Sequence, residues 1–419
     1  MHAGTLKDRD ARFPRILKRM SVGGPKTQMK KCVLITAAVV LPLVAGGCRR
    51  VKFPHYATNF REYAWITNGG SNSVTVLDLV NMQQAGTIAV GVNPTAIAVN
   101  PRRDEVYVAN TGSGTVSIVD AKKNQVAATV GVHRDPSWID VDSEGARAYV
   151  ANAGSNNVSV LDLKKRREIA AIGVGELPVE ARIAPDGDTL VVSNKGSNSV
   201  SVIDARSLAV RASFDGCPEA SDTVILPDSS RAFVACTGGH QVMVIGLARA
   251  HSVLPGDQAD HLLAFLDVGQ TPVHLAMKPD GGEIFVSNFG GNSVSEIATG
   301  SAEVGGATLI GDHPLGGVVS PDNATLWVSD YVANAVAAYS IDDGKLVNMV
   351  RVGVGPGPLA LSRDGFLLLA VDGLSGDVSV VRTISYKPKG EPVTGSLFTV
   401  MSAGKHPNAI AVKGLVAGE

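Results

Sequence analysis

A short apolar strand of the type Tyr-Val-Ala-Asn recurs along this chain at a fixed interval. Its last residue falls at Asn68, Asn110, Asn152, Asn194, Cys236, Asn288, Asp330 and Asp372. Successive landmarks are 42 residues apart at every step except Cys236 to Asn288, which is 52. Self-similarity at a period of 20–50 residues is the mark of a stacked repeat architecture, in which no unit buries its apolar face alone.

Each unit has the same internal order. A first strand follows a Pro, as in Pro94 to Val99 or Pro272 to Met277, and a turn such as Asp186-Gly187, Asp280-Gly281 or Asp364-Gly365 supplies the positive-φ chemistry of a hairpin. A second strand ends on the landmark, and a polar loop such as Asn152-Ala153-Gly154-Ser155-Asn156 follows. The third strand alternates strictly, as in Asn157-Val158-Ser159-Val160-Leu161-Asp162, with the period of two that places one side on a neighbouring layer. A fourth strand leads into Val-Gly-x-x-Pro, as at Val90 to Pro94. Four antiparallel strands in about 42 residues is the content of one β-propeller blade.

First strands are expected after Pro94, Pro136, Pro178, Ala220, Pro272, Pro314, Pro358 and Pro407, while second and third strands begin with Tyr63. The chain is therefore expected to start with strands two to four of one blade and to end with that blade's first strand, Asn408 to Val412. The fold class is all-β: a single propeller over residues 61–414 with eight blades, closed by its two ends so that no free sheet edge remains. Seven blades is the alternative if one unit is degenerate.

Composition narrows the function. Charged residues make up 18% and apolar residues 45%, which excludes global disorder. The formal charge of -1 argues against a protein that grips nucleic acid by long-range electrostatics.

The N-terminal region reads as an address. Lys30 and Lys31 precede an apolar run from Val33 to Ala45, then Gly46, Gly47 and Cys48. The run has the three-part form of an export signal over residues 29–47 and is short for a bilayer span. Its end resembles the bacterial lipoprotein signal, which implies that Cys48 becomes the lipidated first residue of the mature chain, although Leu43 lies five residues before it where that pattern has three. An ordinary secretory signal and a soluble extracytoplasmic protein is the other reading. Residues 1–28 carry Lys7, Arg9, Arg12, Arg15, Lys18 and Arg19 without an apolar core, and read as an upstream extension or a long n-region. Residues 48–60 form a linker.

Tyr107-Val108-Ala109-Asn110, Tyr149-Val150-Ala151-Asn152 and Phe285-Val286-Ser287-Asn288 resemble the signature of the YVTN family of β-propeller repeat proteins, over nearly the whole expected mature chain. The resemblance implies an exported surface or periplasmic protein without assigned chemistry. More distant propellers include the eight-bladed haem d1 domains and the lactonase-type enzymes, so a haem or metal cofactor and a lactonase-like activity remain alternatives. Otherwise no cofactor is expected.

The landmark residues are expected on one end of the disc, beside the Val-Gly-x-x-Pro loops that surround the channel. They offer either a polar, Gly-rich rim for a ligand or a set of loop caps repeated because the structural problem repeats. Departures from the repeat carry more information. Cys236 replaces the Asn and Cys217 lies in the loop before it, so the pair is a disulfide candidate in an oxidising compartment. His133, His313 and His406 fall in fourth-to-first loops, the first two in loops four blades apart, and His240 in a second-to-third loop; converging imidazoles would ligate a metal or haem iron. Glu176, Glu180 and Arg182 add charge to the same rim, near Arg134 and Asp135. Insertions at His251–His261 and Tyr386–Gly395 lengthen third-to-fourth connections on the opposite end, where partner contacts or tolerated drift are both expected. No nucleophile elbow, Walker loop, H-E-x-x-H or C-x-x-C-H occurs. The sequence thus points to a lipid-anchored monomeric binding or scaffolding module in the cell envelope. Its partner would be an envelope protein or a small-molecule ligand, with membrane contact only through the lipid and no nucleic acid.

Overall fold

The computed structural model describes residues 57, 59–249, 258–386 and 392–416. They form eight four-stranded antiparallel sheets arranged as the blades of a propeller. Blade 1 combines residues 60–89 with 407–416; blades 2 to 8 span residues 94–131, 136–173, 178–215, 220–267, 272–309, 314–351 and 356–402.

The alternation in each second strand explains the ring. Val106 and Val108 pack with Trp65, Val74 and Val76 of blade 1, whereas Tyr107 and Ala109, one residue out of phase, pack with Ile139, Ala148 and Val150 of blade 3. A pleated strand sends successive side chains to opposite faces, so every blade is apolar on both sides and needs a neighbour on each. Among the described residues this yields eight inter-blade cores, each built from two consecutive blades. The last of them closes the circle, with Ala64, Ile66 and Leu77 of blade 1 against Leu369, Val371 and Val380 of blade 8.

Closure is also made by hydrogen bonds. The strand Phe60–Asn68 pairs antiparallel with Pro407–Val416 from Phe60 opposite Val416 to Asn68 opposite Pro407. The final strand is thus longer than the expected Asn408 to Val412. In blade 8 the inner strand begins at Pro356 rather than after Pro358, because Pro356 stands opposite Asp372 just as Pro314 stands opposite Asp330. The described residues of the insertion at Tyr386–Gly395 are strand and not loop. The third and outer strands of blade 8, Asp377–Tyr386 and Pro392–Ser402, continue their pairing through Ile384 opposite Thr394. Much of the insertion at His251–His261 lies outside the described residues, as do residues 1–56, including Cys48.

The inner strands of different blades are not paired with one another. Their channel-facing edges carry backbone donors and acceptors that need other partners. Side chains of the preceding blade supply some of them: Thr111 Oγ1 donates to the Pro136 carbonyl at 2.7 Å, and Thr237 Oγ1 to that of Pro272 at 2.7 Å.

Candidate site in the central channel

The inner strands of blades 3 to 6 carry charge where the others carry Ala, Gly, Pro or aliphatic residues. Pro94–Val99 and Pro407–Val416 place Ala96, Ile97, Ala409 and Ile410 along the channel, and blades 7 and 8 place Gly316, Gly317, Gly357 and Leu359. The opposite arc holds Asp140 on blade 3, Glu180 and Arg182 on blade 4, Asp222 on blade 5 and His274 on blade 6. Between the two arcs lies a cavity of about 490 Å3, lined among others by Trp138, Arg182, Asp222 and His274 on one side and by Ile97, Leu315, Leu359 and Ile410 on the other.

Each acid answers an unpaired inner edge. Asp140 Oδ2 accepts the Ile183 N–H at 3.1 Å, Glu180 Oε2 that of Thr223 at 2.8 Å, and Asp222 Oδ2 that of Leu275 at 2.7 Å, in every case from the next blade. Arg182 Nη2 lies 2.6 Å from Glu180 Oε1, a close ion pair without hydrogen-bond alignment. Its Nε–H donates to the Thr223 carbonyl at 3.3 Å, and its guanidinium sits 4.8 Å above the Trp138 ring. His274 Nδ1 faces Asp222 Oδ2 at 2.9 Å and its Nε2 faces the Gly317 carbonyl at 2.9 Å. Both neighbours are acceptors, so the ring meets both only when it carries two protons.

These contacts set the charge states. Burial pushes the Glu180 carboxyl well above its usual range despite Arg182, and raises that of Asp140. Burial alone would also raise Asp222, but the charge and hydrogen bond of His274 outweigh it and hold that carboxyl at about 2. Burial works to lower His274, and Asp222 reverses it, so the imidazole is pushed up. The three charged side chains that line the cavity are Arg182, Asp222 and His274, which leaves one net positive charge when all are ionised.

The residues singled out from sequence take other places. Asn68, Asn110, Asn152, Asn194 and Asn288 are buried. Each Nδ2 donates to the side chains five and seven residues on, as Asn194 does to Ser199 and Ser201 at 3.3 and 2.9 Å. They tie the second strand to the third and present no rim to solvent. Asp330 and Asp372 occupy the same buried place. The Gly of the Val-Gly-x-x-Pro loop lies directly on this side chain: a Cβ at Gly175 would stand 2.7 Å from Asn194 Cγ.

Glu180 and Arg182 belong to the channel and not to the rim, because both lie on the inner strand rather than in the loop before it. Glu176, Arg134 and Asp135 do sit in exposed loops. His133 lies 3.3 Å from Glu168, His313 Nδ1 is 2.6 Å from Asp312 Oδ1, and His240 and His406 are exposed. None of these four lines the central cavity, and the His274 that does has both ring nitrogens engaged, so the cavity offers no free imidazole to a haem iron. Among the described residues no three His, Cys, Asp or Glu side chains come together to hold a metal ion. Cys217 and Cys236 are joined by a disulfide.

A second feature lies at the end of the disc that carries the second-to-third loops. At this position blades 6 to 8 present Phe289, Tyr331 with Val332, and Leu374, where blades 1 to 5 present Gly, Thr, Ala or Lys. Phe289 packs edge-on against His313 with ring centroids 4.6 Å apart and lies 6.4 Å from Tyr331. Tyr331 and Leu374 both crowd Gly355, and the Leu374 N–H bonds the Val354 carbonyl at 3.1 Å. Leu374, Val332 and Val354 are 61%, 48% and 47% exposed, so a contiguous apolar arc faces water on three neighbouring blades.

Comparison with known proteins agrees on architecture. A family profile described as lactonase, 7-bladed β-propeller matches residues 63–174, from blade 1 through blade 3. No curated protein matches the chain in sequence. Among solved structures, dihydro-haem d1 dehydrogenase NirN in complex with DHE is similar over 87% of this chain and 77% of its own, with a TM-score of 0.65 at 16% identity. Hydrazine synthase of Kuenenia stuttgartiensis covers 66% of this chain and 91% of its own at 24% identity, with a TM-score of 0.53. A protein of unknown function from Desulfotomaculum acetoxidans covers 84% and 98% at 14% identity, with a TM-score of 0.57. At such identities the shared property is the propeller fold.

Proposed function

We propose that this protein is an exported, lipid-anchored β-propeller that serves as a protein-interaction scaffold in the cell envelope. The observation that carries the reading is the apolar arc of Phe289, Tyr331, Val332, Val354 and Leu374, confined to three adjacent blades. Exposed contiguous apolar surface is the usual mark of a protein contact, and the exposed Val92 and Leu177 of this end lie in other blades' loops. The export signal ending at Cys48 and the Cys217–Cys236 disulfide support an oxidising compartment outside the cytoplasm. Bacterial lipidation of one Cys attaches several acyl chains, enough for stable anchoring.

Two measurements test it. Metabolic labelling with a fatty-acid analogue should mark the native protein and not Cys48→Ser, and only the native protein should fractionate with membranes. In-cell crosslinking should give discrete adducts that disappear with Leu374→Glu. A native protein found unlabelled in the cytosol, or an adduct pattern indifferent to Leu374→Glu, overturns the reading.

The profile match over residues 63–174 favours a second reading, a lactonase-type hydrolase. A pH-stat assay on sugar and aliphatic lactones separates the two, since a scaffold shows no turnover above buffer.

A further inference from the structure

We propose that the central cavity binds a small monocarboxylic acid, with its carboxylate on the free edge of the Arg182 guanidinium and its apolar body against Ile97, Leu315, Leu359 and Ile410. This site is separate from the apolar arc and does not depend on the scaffold reading.

Three observations carry the assignment. First, Arg182 has donors to spare. Of its five N–H groups, Nε serves the Thr223 carbonyl and Nη2 faces Glu180, while no other acceptor among the described residues hydrogen-bonds the fork; the side chain is 31% accessible. Stacking on Trp138 holds the guanidinium plane, so the fork is oriented before a ligand arrives. A planar fork with two adjacent free donors is the shape that a carboxylate meets in bidentate fashion.

Second, the charge of the wall suits a monoanion. Asp140 and Glu180 do not line the cavity; each points an oxygen at a backbone N–H of the next blade. Asp222 does line it, but His274 sits against it at 2.9 Å. One available fork, its charge already shared with Glu180, matches a monoanionic carboxylate better than a phosphate dianion, for which a second cation would be needed.

Third, the remainder of the wall is mostly apolar, its polar side chains being Thr95, bonded to Thr111, and Asn408, whose Nδ2 donates to the Pro94 carbonyl. Blades 7, 8, 1 and 2 offer aliphatic side chains and the side-chain-free backbone of Gly316, Gly317 and Gly357. A cavity of about 490 Å3 lies within the size range of small-molecule sites, which are mostly apolar with a few polar groups fixing orientation.

Isothermal titration of the full-length protein with hexanoate, benzoate and 4-phenylbutyrate tests this directly. At least one acid should bind saturably, and its primary amide should bind roughly tenfold weaker or less, because the amide cannot form the charged pair. Phenyl phosphate should bind more weakly than benzoate. Arg182→Met should weaken the acid by about the same tenfold. Should that variant fold poorly, Leu359→Trp fills the apolar side without touching the charged arc and should likewise abolish binding. Absence of saturable binding for all three acids up to about 10 mM overturns the proposal. So does an amide or a phosphate that binds as well as the acid, or a Leu359→Trp protein with native affinity.

Discussion

Asp222 and His274 stand on the inner strands of adjacent blades, with Oδ2 and Nδ1 2.9 Å apart. The same carboxylate oxygen takes the Leu275 N–H at 2.7 Å, and the far nitrogen of His274 reaches the Gly317 carbonyl of blade 7. One acid–imidazolium pair therefore links three blades along the channel, where no strand ladder joins them. Most of the contact between blades is apolar and carries no direction. Here the contact is directional and ionisable.

Replacing His274 by Gln should make this link visible in the pH dependence of stability. The folded-state pKa of His274 is raised, so its contribution is complete below the unfolded value near 6.5 and fades as pH rises through the folded one. Asp222 is held at about 2, so its share is present above its unfolded value near 4 and fades toward acid. The native protein should exceed His274→Gln by roughly 1–3 kcal/mol between about pH 4 and 6.5, and by less at about pH 9. Denaturant melts at both pH values decide it; an equal gap at each contradicts the assignment.

Asp372 should behave in the opposite sense. It occupies the place of the buried Asn in blade 8, with Asp377 where blades 1 to 4 and 6 carry Ser, Thr or Asn. Burial first, and then the neighbouring Asp377, push its carboxyl up to about 7, while Ser379 Oγ donates to it at 2.7 Å. A carboxyl raised in the folded state weakens that state as pH climbs from about 4 to 7. Asp372→Asn, which restores the amide of the other blades, should therefore be more stable than the native protein by roughly 1–4 kcal/mol at about pH 8 and nearly equal to it at about pH 4. A variant less stable than native at alkaline pH would refute the shared-proton account.

Closure of the ring makes the last strand indispensable. Removing residues 407–419 strips the Phe60–Asn68 strand of its partner and uncovers inner edges on both sides of blade 1. The expected outcome is loss of the cooperative thermal transition, or insolubility, read by circular dichroism and light scattering. An unchanged melting curve would mean that the ring does not need its clasp.

The Cys217–Cys236 bridge closes a span of 19 residues. On the chain-entropy account a loop of that size is worth about 3 kcal/mol. Cys217→Ser with Cys236→Ser should lower the denaturant midpoint accordingly, and the reduced native protein should lose less than the double variant, because it keeps both sulfurs in place. Both cysteines are buried in the core shared by blades 4 and 5, so part of the loss will come from packing.

The channel chemistry was only half legible in the amino-acid order. Glu180 and Arg182 stood out as charges, but the loop before Pro178 attracted the reading, and they were expected on the rim. Asp140, Asp222 and His274 went unnoticed, although a signal existed: the third and fifth positions of the inner strands depart from the Ala-Ile-Ala of Ala96 to Ala98 and Ala409 to Ala411. The landmark Asn, by contrast, drew a possible rim role that burial removes. Its partners, the side chains five and seven residues on, were present in the alternating third strand all along.

What the order of residues determined alone was the local rule: strands of period two, turns at Asp-Gly, and a 42-residue unit whose faces are both apolar and therefore need neighbours. Eight such units, with the first missing an inner strand and the last residues supplying one, already imply a closed ring, because the information is repeated and local. Only the tertiary structure decided which side chains share the channel. Asp140, Arg182, Asp222 and His274 are 40 to 52 residues from one to the next, and nothing in that spacing says which of them turn to a neighbouring blade's backbone and which face the cavity. That choice depends on the unpaired inner edges, which exist only once the blades stand side by side.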